Sequence, residues 1–348
     1  LQGNLPSQRL EQLDLVFAGK HYVFHPEQAG KQAVLALLEN PDLPKAVADP
    51  KELYKYMMGQ GKALQGVTDD PSLAGYLYEP GASSYGIQGL GEEFLPAASG
   101  EAAQDTAALV PVLRDRLQER GLTRLYETIE LPLTENLAEM EWNGITIDQA
   151  MLDEVTEEMT KKVQALEQQA FDQAGEQFNL NSPKQLGALL FEKLGLPVIK
   201  KTKTGYSTSA EVLEKLRPHH PIIDLILEYR QLTKLNSTYV EGLSKVIAGD
   251  GRIHTCFQNT VTATGRLSST EPNLQNIPTR TEVGKRMREM FVPGKDYDLL
   301  MSCDYSQVEL RVMASIAQDE LLLDSFRHGQ DVHARTASEI FGVPLDQV

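Results

Sequence analysis

A chain of 348 residues and 38.6 kDa is too long for one ordinary domain and points to two or three. Its 41% hydrophobic and 24% charged residues exclude disordered and collagen-like classes, and no apolar run approaches the ~20 residues of a membrane span. The net charge of −16 argues at face value against a nucleic-acid partner, but its distribution is uneven: between Lys184 and Lys295, 17 Lys and Arg stand against 10 Asp and Glu, while the rest holds 16 against 39. One basic block sits inside an acidic protein. Two cysteines, Cys256 and Cys303, are too few for a disulfide framework and fit a reducing, cytoplasmic setting. The sequence opens at Leu1 with no Met and no apolar signal core, which reads as a piece of a longer polypeptide.

In chain order, Leu13–Phe17 and Tyr22–Phe24 read as strands, Gln32–Leu38 and Lys51–Met58 as helices, and Lys45–Ala48 as a further short strand. Gly81–Gly91 reads as a loop and Pro96–Gly100 as a boundary. From Asp105 the pattern is helical: Thr106–Glu119, then Leu133–Asn143, a turn at Asn143-Gly144 and a short strand Ile145–Ile147. Asp148 is placed to cap a long helix to about Ala174, Ser182-Pro183 starts another, and Ser209–Leu216 and a helix from Pro221 to about Val246 follow. Strands and turns return with Arg252–Gln258. Asp298–Asp304 is an apolar run ending in an acid, followed by an amphipathic helix with Val308, Val312 and Ile316 at four-residue spacing.

The run Asp304-Tyr305-Ser306-Gln307-Val308-Glu309-Leu310-Arg311 carries the strongest chemical signal. A buried strand ending in a carboxylate can hold a cation at a sheet edge, and Mg²⁺ favours one or two carboxylates plus substrate phosphates. Taken alone, an acid after an apolar strand is an ordinary helix cap. Arg266, Gln275 and Asn276 are donors suited to the minor groove, where every base pair offers the same acceptors. Arg230 and Lys234, four apart on one helix, and Lys200, Lys201 and Lys203 in one loop suit phosphate contacts.

Asp304–Arg311 closely resembles motif A of the family A DNA polymerases. Thr262–Ser269 and Glu271–Pro278, with Asn273 inside the latter, resemble the family's primer-template segment; Phe178–Leu186 and Thr202–Ser209 resemble its thumb. The likeness runs from about Tyr126 to the last residue. It implies an α+β, mixed multidomain architecture: a degenerate, RNase H-like 3′–5′ exonuclease-type domain over 1–104, a connecting helix and helical thumb over 105–248, and part of an antiparallel-sheet palm over 249–348. It implies template-directed nucleotidyl transfer from dNTPs to a primer 3′-hydroxyl, in replication and repair, with two Mg²⁺ ions. Asp304 is then one of two metal-bridging aspartates and the Tyr305 carbonyl a second ligand. Glu309 is a steric gate against ribonucleotides, Gln307 and His333 lie at the nucleotide, and Arg266, Asn273, Gln275, Asn276 and Arg311 lie at DNA, with Arg266 at the primer end.

The second catalytic aspartate and the fingers helix of the family lie in motifs beyond Val348, so the chain alone is expected to be inactive until a C-terminal polymerase segment completes it. The alternative is a non-catalytic fragment that holds primer-template DNA. In the amino-terminal region the family's Asp-x-Glu motif is missing, Tyr78 leads to Glu79-Pro80-Gly81 where a Tyr-x-x-x-Asp motif is sought, and Asp69 and Asp70 read as a helix-capping pair. No exonuclease activity is expected, and a nuclease working through this region is the least favoured alternative.

Overall fold

A computed structural model describes residues 10–25, 30–203, 205–279, 281–295 and 297–348, and it divides into two compact units, Leu1–Asp298 and Leu299–Val348. Leu1 and Thr204, each in a segment singled out above, lie outside the described residues.

In the larger unit the first strands form two separate pairs: Leu13–Phe17 antiparallel to Lys20–Phe24, and Lys45–Ala46 parallel to Val67–Asp69. Helices Lys31–Glu39 and Lys51–Gly59 bury Leu35, Leu38, Leu53, Tyr54, Tyr56 and Met57 in one core. A second core joins Leu73 and Tyr76 of helix Pro71–Tyr78 to Leu90, and to Leu109, Leu113 and Leu117 of helix Ala102–Glu119. The boundary drawn at 104/105 therefore runs through a shared core. The loop expected at Gly81–Gly91 is in part the helix Ile87–Phe94. Leu90 of this helix packs closely on helix Pro71–Tyr78, where a Cβ on Gly75 would come within 2.7 Å of Leu90 Cδ2.

The largest core belongs to the helical arm. Asp148 caps the helix Gln149–Ala174 by accepting from the Met151 amide at 3.1 Å, and Gly175, at φ 71°, closes it as its amide donates to Phe171 O. Leu152, Val155, Met159, Leu166 and Ala170 form its buried stripe, against which helix Ile222–Leu235 packs. That second helix passes into a π-helical turn, Asn236–Val240, and ends with Glu241–Ser244. At the base of the arm, Ile145–Ile147 is the central strand between Phe291–Val292 and Arg252–Ile253, both antiparallel to it. Gly144 enters this strand at φ 58°, where a Cβ would stand 2.7 Å from Ile253 O. The single strand expected over Arg252–Gln258 is two: Cys256–Gln258 leaves the three-stranded sheet and pairs with Ser268–Thr270.

In the unit Leu299–Val348 three helices, Val308–Ala317, Glu320–Arg327 and Val332–Phe341, follow one another. The buried strand expected up to Asp304 is not formed. Residues 299–305 have no regular structure, and Met301 is 80% exposed. An apolar run becomes a strand only by pairing, and among the described residues none pairs with it.

Candidate functional site

In the smaller unit, Asp304 and Tyr305 are exposed at the entrance to a turn. Gln307, in the left-handed region at φ 54° and ψ 37°, swings the chain into helix Val308–Ala317 and puts Glu309 in its first turn, where a carboxylate suits the helix dipole. Arg311 braces this turn. Its Nε donates to Ser306 O at 2.9 Å, and its guanidinium lies 4.5 Å from the centroid of the Phe326 ring. The sequence placed Arg311 at DNA; here its guanidinium is engaged within its own unit. Asp331 caps helix Val332–Phe341 by accepting from the amides of His333 at 2.7 Å and Ala334 at 3.3 Å. These two amides, with a hydrogen bond from the Gln307 side chain, hold its carboxyl below the ordinary aspartate value. Gln307 and His333 are thus brought together through Asp331.

Asp304 and the Tyr305 carbonyl are hard oxygen donors, right in kind for Mg²⁺. Asp304 supplies one of the one or two carboxylates such an ion takes beside substrate phosphates, and among the described residues no three His, Cys, Asp or Glu gather into a metal-binding group.

In the larger unit, Arg266 is exposed in the loop between Cys256–Gln258 and Ser268–Thr270. Thr255 ties the next segment down: its hydroxyl lies 2.7 Å from Ser269 Oγ and donates to Pro272 O at 2.8 Å. Asn273 Oδ1 accepts from the Gln275 amide at 3.0 Å, a side-chain turn that leaves Gln275 and Asn276 exposed. Asn273 therefore orients its neighbours. Lys200, Lys201 and Lys203 are exposed at a small hairpin, Lys201–Thr202 against Gly205–Tyr206, and Lys234 is exposed on the arm. Arg230 departs from the expectation. Its guanidinium is half-buried and donates to Thr208 O at 2.5 Å and Thr208 Oγ1 at 3.3 Å, anchoring the loop ahead of helix Ala210–Leu216.

The amino-terminal aspartates are engaged structurally. Asp70 caps helix Pro71–Tyr78, and burial lifts its carboxyl to about 7 against amide donors from Asp49, Leu73 and Ser72. Asp69 does not share in the capping; it pairs with Arg114 Nε at 2.5 Å.

Sequence reading missed an interior cluster. Glu141 is 1% exposed, and Lys51 and Lys55 are each 4% exposed. Lys51 Nζ lies 2.9 Å from Glu141 Oε1 and Lys55 Nζ 2.6 Å from Oε2, while the Phe257 amide donates to Oε1 at 2.8 Å. Burial alone would lower the Lys55 ammonium, but hydrogen bonds to Glu141 and Glu52 carry it above the usual lysine value. The available signal was two lysines four apart inside an apolar helix, Lys51–Met57.

Comparison with known proteins identifies the family. Residues 149–348 match the model of DNA polymerase family A. The chain is 42% identical to DNA polymerase I of Geobacillus stearothermophilus over 94% of its length and 44% identical to that of Bacillus subtilis over 89%. It spans 40% and 38% of those two relatives. Among solved structures, the POL domain of Pol1 from M. smegmatis, in complex with DNA primer-template and dNTP, superposes with a TM-score of 0.89 at 39% identity, covering 96% of this chain and 61% of that one. With more than half of its residues matched by the family model, the chain belongs to DNA polymerase family A.

Proposed function

We propose that this chain supplies the primer-template grip and the first part of the nucleotidyl-transfer site of a DNA polymerase acting in replication and repair. The observation that carries the reading is the exposed Asp304–Glu309 turn, with Gln307 and His333 joined through Asp331. Bound Mg²⁺ would supply charge neutralisation at the transferring phosphate. Asp304 and the Tyr305 carbonyl would hold it. Gln307 and His333 orient the triphosphate, and Glu309 crowds the sugar edge. Arg266, Gln275 and Asn276 grip base pairs from the minor groove, and Lys200, Lys201, Lys203 and Lys234 contact backbone phosphates.

The layout is a degenerate, RNase H-like exonuclease-type domain over 1–104 whose core is shared with the first connecting helix, Ala102–Glu119, then connecting helix and thumb over 105–248, and the start of the palm over 249–348. No proofreading is expected, on the ground of the missing acidic motifs; Asp69 pairs with Arg114 and Asp70 caps a helix. The work is cytoplasmic, in keeping with a chain that has only two cysteines, Cys256 and Cys303. No helix among the described residues is long and apolar enough to cross a membrane. A C-terminal polymerase segment completes the site and covers the apolar side chains of Val308, Val312, Met313 and Ile316, all exposed here. A second reading for the chain on its own is a fragment that binds duplex without chemistry, since Asp304 is one aspartate where two bridge a pair of metal ions.

Glu309→Ala tests the site in a polymerase containing this chain. Relieving a steric clash should raise ribonucleotide incorporation relative to deoxyribonucleotide by about a hundredfold, at a tenfold step per ~1.4 kcal/mol. An unchanged ratio in single-nucleotide extension would remove Glu309 from the sugar.

A further inference from the structure

The loop bearing Arg266 hangs from a short ladder, Ser268–Thr270 against Cys256–Gln258. An isolated two-stranded ribbon is marginal at best, so these strands alone fix the loop weakly. The amino-terminal region holds it at two points. The first is Lys51, whose Nζ donates to Phe257 O at 2.5 Å beside Glu141 of helix Leu131–Asn143, which accepts the Phe257 amide. The second lies nearer the tip. The Tyr76 hydroxyl donates to Thr262 O at 2.7 Å, and the Thr262 hydroxyl donates to Arg266 O at 2.6 Å.

Two hydrogen bonds therefore lead from helix Pro71–Tyr78 to the backbone of Arg266. Tyr76 is 2% exposed, packed in the core with Leu73, Leu109 and Leu113, with its ring edge-on to Tyr85 at 5.5 Å between centroids. Its hydroxyl is fixed by a core that the loop does not share.

We infer that Tyr76 is a positioning residue for DNA binding: through Thr262 it sets the backbone of Arg266 where the guanidinium meets the duplex. This rests on the reading of Arg266 as a duplex contact. It gives the amino-terminal region a part in primer-template binding that needs no carboxylate chemistry.

The test is fluorescence anisotropy of the full chain with a labelled primer-template duplex. The variants are Tyr76→Phe, Thr262→Val, Arg266→Ala and the two pairings of the first two with Arg266→Ala, each also melted thermally. Arg266→Ala should weaken binding about tenfold, and Tyr76→Phe and Thr262→Val each about threefold to fivefold, the scale of one lost hydrogen bond. In the Arg266→Ala background neither should weaken it further. If Arg266→Ala weakens binding while both other single variants bind normally, the inference fails and the reading of Arg266 stands. Equal losses with and without Arg266 would trace the effect to general destabilisation and also overturn it. Normal binding by Arg266→Ala would take down both.

Discussion

In helix Gln149–Ala174 the stripe Leu152, Val155, Met159 and Leu166 is buried along its length. In helix Val308–Ala317 the same kind of spacing leaves Val308, Val312 and Ile316 exposed, Ile316 at 79%. Both sequences specify a helix, because periodicity acts through local backbone geometry and side-chain direction. Burial needs a partner surface, and only the arm contains its own. The polar groups differ in parallel: Arg230 in the arm is tied into a loop, while Asp304 and Tyr305 stand in the open. The region that holds DNA in this reading is thus self-sufficient in packing, and the region that would do chemistry is not.

The sharpest break in that contrast comes from the catalytic turn. Asp304→Asn should lower single-turnover incorporation by a polymerase containing this chain about a thousandfold or more, since an amide is a poor Mg²⁺ ligand. Duplex affinity should hardly change, because it comes from phosphate contacts elsewhere. Normal turnover would refute the assignment.

Packing supplies the next test. Ile223→Ala, at 0% exposure in the arm, should cost about 2–5 kcal/mol in denaturant unfolding. Ile316→Ala should cost under about 0.5 kcal/mol in this chain. In the completed polymerase its cost should rise if that face is covered there; an equally small cost would leave the face open.

The smallest effect separates two neighbouring bases on the arm. Lys234→Ala should weaken all duplexes alike and reduce the slope of log affinity against log salt by about one. Arg230→Ala should show its main effect in thermal unfolding, because it removes the anchor on Thr208. A pure salt-slope change from Arg230→Ala would return it to the DNA face.

Much of this was legible from residues alone, wherever one side chain or one backbone angle decides. Asp148 and Gly175 bound the long helix, and Asn143-Gly144 turns into the strand Ile145–Ile147. The sequence was misleading where a neighbour decides. Asp298–Asp304 has the composition of a buried strand, yet strandhood lies in the pairing and not in the run. Arg230 and Lys234 are indistinguishable by spacing; only the loop that reaches Arg230 separates them. The Lys51–Glu141–Lys55 cluster joins residues far apart in the chain, which no local pattern encodes.

Helix Gln149–Ala174 has 26 residues, which at 1.5 Å of rise each makes a rod of about 39 Å. Its foot is pinned to the sheet, where the Asp148 amide donates to Met290 O at 2.9 Å, and at its far end the Ala174 carbonyl is held by Lys193 at 2.9 Å. Such a rod is a lever. A ten-degree swing about the foot would carry the far end through about 7 Å, roughly the rise of two base pairs, so a small change of angle at Ile145–Ile147 would become nucleotide-scale travel at the other end.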